Sequence, residues 1–362
     1  MKNYPVKEIK NKRILGRNVS GGVCADGAVR LFWAGSAFEV CVKATEVWAR
    51  ISSDYDVHEI WLAVEVNGFQ ISRFMAPKEQ TLICLARNLN PEKENIITII
   101  KDTQAMPGDV RHELKIDEIA LNDDGVFCEP VIRNCTIEFI GDSITSGEGL
   151  LGRPEDADWI TQYFAGSKTY AVQTAKLLNA EWKCISLSGW GISWNWNGDV
   201  NARIPRCYSK VCSVLEGPAQ KAAGTCENYD FAGGSDFVVL NLGTNDDIGF
   251  QYHDDGKGVE GEAGKTEINE VKRFLGEIRK FNPRAKIIWT WGMIPLKVLP
   301  VLIQKGIEEY KNETGDKNVY ALELESMANL EKKYEDKGSR DHPGPVTHKK
   351  AALRIADFIR GL

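Results

Sequence analysis

Thr136-Ile137-Glu138-Phe139-Ile140 runs directly into Gly141-Asp142-Ser143-Ile144. A short run this apolar has the pattern of a strand buried on both faces, and the glycine ends it. Downstream, residues 169–179 carry Ala171, Ala175, Leu177 and Leu178 at helical spacing, and residues 182–187 read as a second strand. Residues 236–242 give a third strand, followed by an amphipathic helix through Ile268, Val271, Phe274, Leu275 and Ile278. A strand at 286–291, a helix over about 299–312, a short strand at 319–322 and a helix over 347–359 complete the series. This alternation predicts an α/β domain, a parallel sheet with helices on both faces.

Upstream the pattern differs. From residue 13 to about 128 the chain offers short segments rich in β-branched and aromatic residues, such as Val29-Arg30-Leu31-Phe32-Trp33, Phe38-Glu39-Val40-Cys41-Val42 and Ile96-Ile97-Thr98-Ile99-Ile100. The turn pairs Asn67-Gly68 and Asn90-Pro91 fall near them, and no helix longer than two turns is evident. Short strands at this spacing predict a β-sandwich or jelly roll. Asn122-Asp123-Asp124-Gly125 and Glu129-Pro130 mark the connection, so we expect a β-sandwich domain at 1–128 and an α/β domain at 129–362.

Composition agrees with two folded cores. The chain has 362 residues, 43% of them apolar and 27% charged, which excludes disorder, collagen and a small disulfide scaffold. The net charge is −6 and no basic run could track phosphates, so no nucleic-acid partner is expected. No apolar stretch approaches the ~20 residues of a membrane helix, and the opening residues lack the apolar centre of a signal peptide. We therefore expect no membrane association and a cytoplasmic location. The nine cysteines are scattered without a CxxC pair and read as mostly buried thiols rather than a metal or redox site.

In a parallel sheet, ligands gather beyond the carboxyl ends of the strands. After the first strand stands Gly141-Asp142-Ser143, after the second Ser188-Gly189-Trp190-Gly191, after the third Gly243-Thr244-Asn245-Asp246, and before the last helix Asp341-His342-Pro343-Gly344. A serine exposed on a tight turn suits nucleophilic attack. Of the five histidines, His58 and His112 lie in the β domain, His253 in a Gly/Asp loop and His348 on the first turn of the last helix. That leaves His342 as the candidate base. The Ser143 amide, Gly191 and Asn245 could supply donors for a negative oxygen. Trp190, Trp194, Trp196 and Trp291 follow strands at the same end and offer faces on which a sugar ring could pack.

The order of these blocks over about residues 134–362 resembles the SGNH (GDSL) hydrolase superfamily. The strand-rich upstream domain with Phe32-Trp33-Ala34-Gly35-Ser36, and the stretch Trp289-Thr290-Trp291-Gly292-Met293, narrow the resemblance to carbohydrate esterase family two. The resemblance implies a jelly roll ahead of an esterase domain that removes acetyl groups from sugars. It implies Ser143 as nucleophile, His342 as base, and the Ser143 amide, Gly191 and Asn245 as the oxyanion hole. The superfamily usually places an aspartate three residues before the histidine. Here that position is Ser339, so Asp341, a backbone carbonyl or the Ser339 hydroxyl is left to orient the imidazole.

The expected activity is a serine esterase that releases acetate from O-acetylated plant polysaccharide or oligosaccharide, of acetylxylan or acetylmannan type. No metal and no organic cofactor are expected, and a homo-oligomer is a possible assembly. The alternatives are a lipid or thioester hydrolase on the same fold, or a glycan-binding protein with vestigial catalysis.

Overall fold

The structure, a computed structural model, describes residues 1–329 and 334–362. These fall into two compact units. The first comprises Met1–Arg133, Ile160–Ser167 and Ser209–Asp230, the second Asn134–Trp159, Lys168–Tyr208 and Phe231–Leu362. Among the described residues, no helix is long and apolar enough to cross a membrane.

The first unit is built on two antiparallel sheets, one of five strands and one of six. Strand Glu46–Asp54 shows why they pack face to face. Val47, Ala49, Ile51 and Ser53 turn inward while the residues between them are half-exposed, as the two-residue period of a strand requires. Phe38, Val40, Leu62, Val64, Ile97 and Ile99 belong to the same core. Full burial of a side chain of this size contributes about 1.5–3 kcal/mol. The expected strand at 29–33 is cut to Val29–Arg30, because the chain then leaves the sheet and the Trp33 indole N–H donates to the Val211 carbonyl at 2.7 Å.

Expectation and structure part company at two segments. Residues 160–167 and 209–230, placed by sequence in the α/β domain, belong to the sandwich unit. Arg73 donates to the carbonyls of Gln162 and Phe164 at 2.9 and 2.8 Å, and the Gln220 amide donates to those of Asp109 and His112, both at 3.0 Å. Side-chain bonds to loop carbonyls leave no periodicity in sequence, so these segments carried no signal.

In the second unit, β1 (Thr136–Gly141), β2 (Glu181–Ser186), β3 (Phe237–Asn241), β4 (Lys286–Trp291) and β5 (Val319–Glu323) form one sheet. The order is β2-β1-β3-β4-β5, and every pairing is parallel. The helices are α1 (Ser143–Ser146), α2 (Tyr170–Leu177), α3 (Thr244–Gly249), α4 (Glu262–Phe281), α5 (Leu299–Thr314) and α6 (Pro345–Arg360). Right-handed crossovers require α2 on one face and α4 and α5 on the other, since the chain runs outward in opposite directions from β1 and β3. Accordingly α2 packs with α6 and α4 with α5. α2 stops short of the expected 179 because Asn179 takes a left-handed conformation at φ 48°. Strand order reverses between β1 and β3, which opens a crevice at their carboxyl ends. The register sets Gly141 beside both Ser186 and Asn241, so the segments leaving β1, β2 and β3 start from one level.

Candidate active site

The turn after β1 is specified residue by residue. A Cβ on Gly141 would stand 1.9 Å from Thr145 Oγ1, so only glycine lets the chain fold back this closely. Asp142 caps α1 by accepting the Ile144 N–H at 3.0 Å. Its burial pushes its carboxyl up to about 7, against the favourable effect of that amide bond. Ser143 then opens α1, and Gly147 closes it at φ 77°.

His342 arrives from the loop before α6. Its Nε2 lies 2.8 Å from Ser143 Oγ, and its Nδ1 lies 2.9 Å from the Arg340 carbonyl. A carbonyl can only accept, so Nδ1 carries the proton and Nε2 presents its lone pair to the serine hydroxyl. The loop is tied down on both sides. Ser339 N–H donates to the Gly149 carbonyl at 2.9 Å, and Gly344 N–H to the Asp336 carbonyl at 2.8 Å.

Asp341 does not reach the imidazole. Its side chain is 85% exposed, with Lys337 Nζ at 3.4 Å, so the backbone carbonyl rather than this carboxylate faces Nδ1. Both Arg340 and Asp341 have positive φ, 54° and 56°, and this turn directs the Arg340 carbonyl inward and the Asp341 side chain outward.

Gly191, on the loop after β2, and Asn245, in the first turn of α3, are neighbours, since the Asn245 side-chain amide donates to the Trp190 carbonyl at 3.0 Å. Asp246 braces the same loop, its carboxylate accepting from Ile192 and Ser193 N–H at 2.8 Å each and from Trp194 N–H at 3.3 Å. A Cβ on Gly191 would fall 2.1 Å from the Trp194 carbonyl and 2.4 Å from Asp246 Oδ2, so the loop closes this tightly only over glycine.

Beneath Asp246 lies the buried carboxyl of Glu267 on α4. Burial and the adjacent Asp246 charge drive its pKa well up. Burial also raises that of Asp246, but the amides it accepts from favour its charged form. Of the two, Glu267 therefore holds the proton and Asp246 the charge.

Residues 139–348 match the family model described as GDSL-like Lipase/Acylhydrolase family. The chain belongs to that family. Among solved structures, an acetyl xylan esterase (Est2A) from the rumen bacterium Butyrivibrio proteoclasticus is similar. It is 34% identical with a TM-score of 0.91, over 100% of this chain and 99% of that one. The cellulase/esterase CelE of Acetivibrio thermocellus is 27% identical over 91% of this chain, which spans only 37% of that relative's length. An acetylxylan esterase / glucomannan deacetylase of Cellvibrio japonicus is 24% identical over 74% of this chain and 68% of that protein.

The aromatic residues of this family member divide in two. Trp196 is 52% exposed and Trp190 half-buried. Trp194 is buried, stacked on His253 with ring centroids 4.3 Å apart, and its indole N–H donates to the Asp246 carbonyl at 3.0 Å. It supports the loop from below and does not offer the open sugar platform expected of it. Trp291 likewise ends β4 in a buried position. His348 accepts the Tyr170 N–H at Nδ1, and burial pushes it down to about 3, so it acts as packing between α6 and α2.

Two acidic residues, Glu148 beside the imidazole and Glu267 beneath Asp246, escaped the sequence reading. Glu148, also buried, has Oε1 at 3.2 Å from Arg340 Nε and Oε2 at 3.8 Å from His342 Nε2. Glu148 lies just past the Ser143 motif, yet nothing in sequence pairs it with Arg340. Glu267 was more accessible, as an acid within the apolar stripe of an amphipathic helix.

Proposed function

We propose that the chain is a serine esterase that releases acetate from O-acetylated carbohydrate. Ser143 Oγ attacks the acetyl carbonyl while His342 Nε2 takes its proton, and the tetrahedral oxyanion forms beside the Ser143 amide, the Gly191 amide and the Asn245 side chain. The amide nitrogen of Asn245 has two N–H groups, and with one bonded to Trp190 the other is available for this oxygen. His342 then returns the proton to the departing sugar hydroxyl. Water repeats the sequence on the acetyl-enzyme, its proton going to His342 and then back to Ser143 as acetate leaves.

The observation that carries this reading is the 2.8 Å approach of Ser143 Oγ to an imidazole whose other nitrogen is fixed on a carbonyl. Acetylated xylan and mannan are the substrates we favour. The names of the similar proteins point to both, and Trp196 and Trp190 stand beside the Gly191 loop with surface available for a sugar.

Acetate release from acetylated xylan and acetylated mannan, measured with wild type and Ser143→Ala, tests the proposal. Wild-type release on at least one of them, removed in a variant that melts as wild type does, is the expected result. Substantial turnover by Ser143→Ala would eliminate the serine mechanism. Faster cleavage of long acyl chains than of acetyl would instead select a lipid hydrolase.

A further inference from the structure

We infer that Glu148 is a positioning residue for His342, acting through its ion pair with Arg340, and that this pair stands in for the aspartate of a Ser-His-Asp site. The inference rests on the serine-esterase reading above.

A peptide carbonyl can orient Nδ1 only as well as its own peptide plane is held. The Arg340–Asp341 peptide lies between two residues of positive φ, a conformation unfavourable for side-chain-bearing residues, so its surroundings must maintain it. Arg340 N–H donates to the Asp156 carbonyl at 3.1 Å, and the Arg340 guanidinium reaches Glu148 at 3.2 Å. Glu148 is anchored in turn, its amide N–H donating to the Ser143 carbonyl at 3.0 Å. The ion pair therefore ties the turn carrying the serine to the residue whose carbonyl fixes the imidazole.

The second carboxylate oxygen adds charge. At 3.8 Å from Nε2 it is too distant for a hydrogen bond and leaves Nε2 directed at Ser143 Oγ. It is close enough to favour the imidazolium that forms when His342 takes the serine proton. With Asp341 turned to Lys337, Glu148 brings a buried negative charge to that ring. The Arg340 guanidinium pairs with this carboxylate at 3.2 Å, which offsets part of the cost of burying it.

The full chain should be tested as Glu148→Gln, Arg340→Gly and the double variant. Glycine retains the left-handed backbone at 340 while removing the guanidinium. The measurements are kcat and KM on a small aryl acetate, the rate at which diisopropyl fluorophosphate labels Ser143, and the melting temperature. Each single variant should lose about 10- to 100-fold in kcat and label correspondingly slowly, with KM within about twofold and folding intact. The double variant should fall no further than the worse single one, because both changes break one device. Arg340→Lys, which keeps the charge, should recover part of the loss.

Single variants that keep more than half of wild-type kcat and labelling rate would overturn the inference, as would losses confined to KM or losses that multiply in the double variant. Failure of wild type to label at Ser143 would overturn the serine mechanism itself, and the inference with it.

Discussion

Asp341→Asn separates two ways of holding His342. Where a carboxylate orients the catalytic imidazole, replacing it by the amide costs about 10,000-fold, because the wrong tautomer is then favoured. In this chain Nδ1 is 2.9 Å from the Arg340 carbonyl, and Asp341 lies outward with 85% of its side chain exposed beside Lys337. The substitution therefore removes one exposed ion pair, whose influence water and salt screen, and turnover should change by less than about fivefold. Asparagine suits the test because it tolerates the φ of 56° at this position as aspartate does, so no backbone strain is added. The assay is kcat/KM on an aryl acetate at fixed pH, with the melting curve recorded alongside. A loss above about 1,000-fold in a folded variant would refute the carbonyl-held dyad and restore Asp341 as the orienting acid.

Trp194 and Trp196, on the Gly191 loop, should behave differently. Trp194→Ala should destabilise the fold by about 3–5 kcal/mol, as loss of a large buried aromatic does, whereas Trp196→Ala should leave stability within about 0.5 kcal/mol. Trp196→Ala should weaken deacetylation of polysaccharide more than hydrolysis of an aryl acetate. Equal losses on the two substrates would remove its role as a sugar platform. In the sandwich unit, burial pushes Lys101 down to about 7 from 10.5, so the unfolded chain binds more protons across that interval. Stability should therefore rise with pH from about 7 to 10.5, by at most about 5 kcal/mol from this group. Lys101→Met should flatten the rise, and urea midpoints with an unchanged pH dependence would show that Lys101 is not its source.

Both layers of the fold were legible because period and burial are coupled. The β1 run Thr136-Ile137-Glu138-Phe139-Ile140 is apolar at most positions because helices cover both faces of its sheet, and Glu46–Asp54 alternates because one face of its sheet meets a core. Ser143 and His342 were singled out on the same principle. Parallel strands bring residues distant in sequence to one edge, so the residue types following each strand can be compared directly. Trp194 shows where composition misleads. Its Asn-rich surroundings suggested an exposed loop, but the loop folds over Asp246 and closes with that indole inside.

What stayed hidden has no side chain of its own, or a partner distant in sequence. The group facing His342 Nδ1 is a main-chain carbonyl, and it points there because two residues without glycine's freedom, Arg340 and Asp341, adopt left-handed conformations. Residue type at 340 does not report that. Glu148 is equally silent, since a single acid in a glycine-rich turn looks like a solvated residue until Arg340 is brought beside it. Glu267 differs in kind. Ala263, Gly264, Ile268, Val271 and Phe274 define a buried stripe on α4, and an acid inside that stripe must either be neutral or have a partner. Burial and the adjacent Asp246 charge favour its neutral form, while Asp246 gathers the amides of Ile192, Ser193 and Trp194. Polar residues that interrupt an apolar period can therefore be read as support for a site, whereas main-chain acceptors and solitary loop charges require the fold itself.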